Sequence, residues 1–233
     1  MTEHMKKTEG LTRHVQGFFT AREGRSLYEL AKGSTLPIIE IGSFMGKSTI
    51  WLARGSQAGA GVPVVAIDSC VGVPIEYRYQ GRQKFSQPAR VVNRGAKGSK
   101  HGRVQRMPRL TQRQTFERNI AAAGVSEIVT FIPKESRYAI KEVPRKIGVL
   151  FIDGGHEYEE VKLDYDLYSP LVVKGGWVAF HDLSWPGPAR LIGERITTDE
   201  GYGKPISITG DGSDLLIVQK LKNSKKRAAA SGQ

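Results

Sequence analysis

Cysteine is nearly absent from this sequence: Cys70 is the only one in 233 residues. A disulfide framework needs pairs and a thiolate zinc site needs at least two sulfurs, so both are excluded. Long apolar runs are also missing. None approaches the ~20 residues that a membrane-spanning helix requires, which excludes a helical membrane protein. The opening, Met1 to Gly10, is polar and charged and lacks the apolar stretch of a secretory signal. With the lone cysteine, that sets the expectation of a cytoplasmic protein. What remains is ordinary globular composition, 39% hydrophobic and 25% charged, at a length suited to one α/β domain with an insertion.

Acidic residues are scarce in one stretch in particular. Lys and Arg number 35 against 23 Asp and Glu, a formal charge of +12. From Pro74 to Arg113 eleven cations face the single acid Glu76, so this segment alone supplies ten of those twelve charges. Rich in Gly, Gln and Pro and without apolar periodicity, residues 74–113 are expected to form a basic insertion or lid. Two readings stand side by side: a solvated variable loop, or a site for phosphate, nucleic acid or an acidic substrate. Aromatics are confined to its start, Tyr77, Tyr79 and Phe85, which argues against a base-stacking platform. Residues 222–233 are expected to be a disordered basic tail, leaving 1–221 as a single domain.

Elsewhere, short β-branched runs alternate with helical patterns. The strands expected are 37–41, 64–67, 128–132, 147–152 and 177–180. They are apolar almost throughout, as strands buried on both faces are, and the alternation implies a parallel sheet with helices on both sides. The last two runs, 206–209 and 214–219, are joined by Gly210-Asp211-Gly212-Ser213, too short for a parallel crossover, so they form a hairpin. The fold expected is a doubly wound, Rossmann-like seven-stranded sheet with an antiparallel last strand and the long insertion after strand 2. A helix is expected over 115–124, and Tyr158, Val161, Tyr165 and Tyr168 recur at helical spacing as a packing stripe, closed by Pro170 and Gly175-Gly176. Around 11–33, Phe18, Leu27, Leu30 and Ala31 indicate a helical cap over the sheet or the site entrance.

The sharpest local signal is IIEIGSFMGKST, residues 38–49, a strand, a glycine turn and a helix start, where open α/β sheets bind ligands. Three residues separate Gly42 from Gly46, one fewer than in a P-loop, and Glu40 would repel a triphosphate. A ligand with a cationic amino end suits Glu40 better, while the glycines admit its backbone-close approach and the helix-start amides hold a carboxylate. Ser43 and Ser48 lie in the same turn. Strand 2 ends at Asp68, followed by Ser69, where an acidic residue receives ribose hydroxyls. Glu40 and Asp68 together outline a site for an adenosyl amino acid.

These segments resemble class I S-adenosylmethionine-dependent methyltransferases. The similarity is to the bacterial branch of macrolide-sugar and rhamnosyl O-methyltransferases, with the cephalosporin-pathway protein of that fold. It is carried by IIEIGSFMGKSTIWLA, VVAIDS, TFERNIAAAGV and IGVLFIDGGHEYEEVKLDYDLYSPLVVKGGWVAFHDL. The resemblance implies that the first motif binds the methionine part, that Asp68 binds the ribose and that Glu135 and Ser136 lie by the adenine.

Asp153 and the pair His181-Asp182 follow neighbouring apolar strands and face one crevice. Methyl transfer to oxygen needs an aligned acceptor and removal of its proton. Free imidazole titrates near ~6.5, far below an alcohol, so a hard cation that acidifies the hydroxyl would help. The resemblance implies Asp153 as a metal ligand and cofactor contact, and His156 as the base. Where the relatives carry an acidic pair, this chain has His181-Asp182. The metal set Asp153, His181 and Asp182 therefore leaves three readings: a weaker Mg2+ site, a preference for Mn2+, or no metal with His181 in a supporting role. The function expected is O-methylation of a small molecule, a sugar or natural product, with the basic insertion suited to an anionic acceptor, by a chain that can assemble into a homo-oligomer. The alternatives are an RNA methyltransferase using the basic insertion, disfavoured for want of an RNA-binding module, and a cofactor-binding protein without catalysis.

Overall fold

The computed structural model describes residues 1–70 and 110–222. Most of the basic insertion 74–113 and the tail from 223 onward lie outside the described residues. Within them, strands β1 (Ile38–Ile41), β2 (Val64–Ile67), β3 (Val129–Ile132), β4 (Ile147–Ile152), β5 (Val172–His181), β6 (Ile206–Gly210) and β7 (Ser213–Gln219) form one sheet. Its order is β3-β2-β1-β4-β5-β7-β6, parallel from β3 to β5, with β7 antiparallel to β5 and to β6. This is the doubly wound, Rossmann-like sheet with a closing hairpin that the sequence implies.

Helices α1 (Glu3–Thr12), α2 (Ala21–Gly33), α3 (Lys47–Ala58), α4 (Gln112–Ala122), α5 (Ser136–Ala139), α6 (Tyr158–Tyr168) and α7 (Pro186–Arg195) cover both faces. Because successive strand side chains point to opposite faces, each central strand feeds two cores. Ile38, Val64, Val149 and Phe151 pack against residues of α2, α3 and α4, including Leu27, Trp51 and Phe116. Ile39, Ile41, Leu150 and Ile152 pack on the other side with Val161, Tyr165 and Tyr168 of α6 and Leu191 of α7. Val161, Tyr165 and Tyr168 of the stripe are core, while Tyr158 is half-exposed and donates to Glu194 at 2.5 Å.

Three boundaries differ from expectation by three residues or more. The first helix begins at Glu3, upstream of residue 11, where Thr2 caps it. The fourth helix begins at Gln112, three residues before the expected start, because Thr111 and Gln114 form a capping box there. β5 begins at Val172 instead of 177: Ile147 pairs with Val172 and Val149 with Trp177, so an irregularity at left-handed Gly175 absorbs the glycine pair inside the strand. No helix among the described residues is long and apolar enough to cross a membrane.

Candidate active site

Register brings the candidate residues to one edge. Ile41 pairs with Ile67 on one side and with Ile152 on the other, and Ile152 pairs with Phe180. Gly42, Asp68, Asp153 and His181 therefore leave the sheet side by side at its carboxyl end, the place where such sheets bind ligands.

The first turn can be built only with glycine at position 42. Its φ is +87°, and a Cβ there would lie 2.0 Å from the carbonyl oxygen of Asp153. Gly46, at φ +86°, is the N-cap of α3, with Phe116 closing over it. The Gly42 amide donates to the Ile67 carbonyl and the Gly46 amide to the Ser43 carbonyl, both at 2.8 Å. Beneath the turn Glu40 is fully buried and accepts from the hydroxyls of Thr49 and Ser48. Burial pushes its carboxyl up to about 8, against the pull of those two hydroxyls, and Asp153 and Asp68 add to the rise. Glu40 is therefore largely neutral at pH 7 until a cation approaches it.

Unpartnered buried polar atoms are rare in folded proteins and call for an explanation. Among the described residues, Glu40 Oε1 and Ser43 Oγ at this edge are two such atoms.

Asp68 is held in place from three directions. Oδ2 accepts from the Phe44 amide at 2.7 Å, and Oδ1 accepts from the Cys70 amide at 2.7 Å and from Gln112 Nε2 at 2.9 Å. Gln112 was not among the residues expected here. Ser69 is exposed next to Asp68. Glu135 is exposed and paired with Arg137 at 2.8 Å, whereas Ser136 turns inward and donates to Asp164. Burial raises the Asp164 carboxyl to about 6 although Ser136 stabilises its charge.

Beyond β4 and β5 the side chains converge. Asp153 Oδ1 is 2.9 Å from His181 Nδ1, and Asp182 Oδ2 is 3.3 Å from the same nitrogen. Ligand atoms of Asp153, His181 and Asp182 all lie within 4.8 Å of one another. Asp182 adopts φ +58°, a left-handed conformation uncommon outside glycine, and its carboxylate meets both histidines. His156 Nε2 is 2.5 Å from Asp182 Oδ2, and its ring stacks on Trp185 with centroids 4.7 Å apart. An ionised carboxylate only accepts, so in the neutral ring Nε2 carries the proton and Nδ1 keeps the lone pair. The bond to Asp182 raises the His156 pKa above 6.5, outweighing its partial burial.

His181 is 4% exposed. Burial alone would lower its pKa, but Asp153, Asp182 and Glu23 hold it well above the ordinary histidine range. Asp182 lies below the usual carboxylate range because its bonds to His156 and His181 outweigh its burial. In the free protein His181 is thus an imidazolium among three carboxylates.

Sequence reasoning missed Glu23 and Trp185. Glu23 stands in an ordinary helical capping signature, and Trp185 in a loop beside Pro186; neither carries a motif that points to a site.

The fold and this edge define a doubly wound α/β domain that gathers polar side chains at the carboxyl ends of β1, β2, β4 and β5. Residues 39–183 match a family described as "Methyltransferase domain", more than half of the chain. The chain belongs to that family and carries a methyltransferase domain. An uncharacterised protein, R132 of Acanthamoeba polyphaga mimivirus, is 36% identical over 97 residues, 40% of this chain and 44% of that protein. The match thus spans less than half of that relative. Two solved structures share the fold at low identity. Cofactor-bound Rv0187 from MTB superposes with a TM-score of 0.62 at 17% identity, covering 96% of this chain and 92% of that one. The O-methyltransferase TomG of Streptomyces achromogenes, involved in tomaymycin synthesis and solved with S-adenosylmethionine, gives 0.60 at 16%, covering 95% and 91%.

Proposed function

We propose that this chain moves the sulfonium methyl of S-adenosylmethionine to a hydroxyl oxygen of a small molecule, a sugar or natural product. The observation that carries the reading is the His156–Asp182 pair just beyond the carboxyl ends of β4 and β5. The sulfonium methyl is already activated, so the protein has to align donor with acceptor and accept one proton. Nδ1 of His156 takes that proton, and Asp182 steadies the imidazolium that forms. Trp185 stacks on the ring and holds its plane. Glu40 receives the cationic amino group of the donor, Gly42, Ser43, Gly46 and Ser48 shape the turn over its methionine part, and Asp68 with Ser69 takes the ribose. Ser136 and Glu135 border the adenine side, with Ser136 fixed by Asp164. TomG, which shares the fold and was solved with S-adenosylmethionine, supports the donor and the O-methylation class.

The cluster Asp153, His181 and Asp182 fits a divalent cation. Two carboxylates and a buried imidazole nitrogen converge there, and this mixed oxygen and nitrogen set suits Mn2+ better than Mg2+. Bound there, the ion would acidify the acceptor hydroxyl. The ion and the His181 proton compete for one nitrogen, so binding releases that proton. The charge of residues 74–113 suits an acidic or phosphorylated acceptor, and deleting 74–109, which spares the Thr111 cap and the Gln112 contact to Asp68, should raise acceptor KM far more than donor Kd.

The test is transfer of labelled methyl to a panel of hydroxylated metabolites. His156→Ala should cut turnover by ~10² or more while adenosylhomocysteine binding stays within a few-fold, as expected for a lost general base. Near-normal turnover in that variant would remove His156 from the chemistry. Excess chelator should abolish activity, and undiminished turnover in chelator would exclude the ion.

A further inference from the structure

Glu23 stands on α2, far from the motifs of the sheet edge in sequence, and its side chain is fully buried. Its Oε2 accepts from the Thr20 amide and hydroxyl, both at 2.7 Å, closing the capping box of α2. That much is helix capping, and an exposed carboxylate does it as well. The other oxygen does something a cap does not require. Oε1 accepts from the Asp214 amide at 2.5 Å, at the start of β7, and lies 3.2 Å from His181 Nε2. Phe19, just before the cap, packs on the His181 ring with centroids 5.3 Å apart. The imidazole is thus gripped by one face and by one nitrogen, both from the N-terminal segment. Its other nitrogen, Nδ1, lies buried between Asp153 and Asp182, 2.9 Å and 3.3 Å from their carboxylate oxygens.

We propose that Glu23 is a positioning residue for the metal cluster, holding His181 by Nε2 so that Nδ1 is presented as a ligand between Asp153 and Asp182. Histidines that bind metals donate their second ring N–H to a carboxylate or carbonyl, which sets both the tautomer and the ring orientation. Glu23 is placed to be that carboxylate, since it only accepts and is buried too deeply to turn away. The N-terminal segment therefore completes the site and does more than cover it. Glu23, Thr20 and Phe19 bind the strand ends through Asp214 and His181, and Thr20 Oγ1 also meets Ser213 Oγ at 2.8 Å. This inference rests on the metal reading of Asp153, His181 and Asp182.

The experiment uses the full chain and Mn2+ as the probe, with affinity read from the electron paramagnetic resonance of free ion. The wild type should bind one Mn2+, and His181→Ala should lose it. Glu23→Gln, nearly isosteric, should weaken Mn2+ by 10- to 100-fold, the range for loss of such a supporting carboxylate, with adenosylhomocysteine affinity unchanged within about threefold. Thr20→Ala removes the capping partner without touching His181. It should lower the melting temperature yet leave Mn2+ affinity within about twofold, which separates positioning from a merely structural role. If the wild type binds Mn2+ through His181 and Glu23→Gln binds it equally well, the role of Glu23 is overturned while the metal reading stands. Equal loss of Mn2+ in Thr20→Ala and Glu23→Gln would also overturn it, in favour of general loosening. A wild type that binds no Mn2+ would overturn both.

Discussion

If Glu40 receives the amino group of the donor, affinity must follow its ionisation. The carboxyl is buried beneath the first turn, titrates at about 8, and has one oxygen without a partner. A cationic amine binds the ionised form. Each pH unit below about 8 therefore reduces the competent fraction roughly tenfold, or ~1.4 kcal/mol. Between pH 8 and pH 6 the affinity for adenosylhomocysteine should fall by nearly two orders of magnitude. At pH 6 to 7 each binding event should release close to one proton, seen as a dependence of calorimetric heat on the ionisation enthalpy of the buffer. Glu40→Gln keeps an acceptor for Thr49 and cannot ionise, so its affinity should be weak and flat across the same range, with no proton released. A wild-type Kd that is level from pH 6 to pH 8 would refute the assignment of Glu40 to the amino group.

Other outcomes follow from the same site. The rate should rise with pH through an apparent pKa above 6.5, since His156 acts as base only when neutral and its bond to Asp182 favours the charged form; Asp182→Asn should move that limb to lower pH, and an unmoved limb would exclude the pair. Asp164 titrates at about 6 in the fold against 3.8 ordinarily, so ionising it costs stability as pH rises through that window. Asp164→Asn should melt like the wild type near pH 4 and be more stable at pH 7, by at most ~3 kcal/mol; an equal or lower melting temperature at pH 7 would contradict this. Gly42→Ala should fail to bind adenosylhomocysteine and lose several kcal/mol in denaturant unfolding, of order the larger single-residue effects, because its methyl would meet the Asp153 carbonyl. A variant of wild-type stability would show that the turn is not packed as described.

Much of the site was legible because it is written in local pattern. A doubly buried strand must be apolar throughout, so β1, β2 and β4 stood out, and their ends named Gly42, Asp68 and Asp153 before any register was known. The His three residues after Asp153 and the His-Asp pair after β5 were visible in the same way, as polar residues immediately beyond apolar runs. Local pattern also misled at β5. Gly175-Gly176 has the appearance of a chain break, yet the strand continues through it because β4 pairs on both sides.

The succession of strands and helices along the chain, the glycine turn and the residue types at the sheet's edge were determined by the sequence alone, since each depends on neighbours a few positions away. Which of those residues touch was decided by tertiary structure. His156 bonds Asp182 across 26 positions, and Glu23 reaches His181 across 158. An amphipathic helix shows in its periodicity which face is apolar. It does not show which of its charged residues will be turned inward to meet a polar group at a strand end. That depends on how α2 docks beside β7 and on the pairing of β5 with β7, both products of packing between elements distant in the chain.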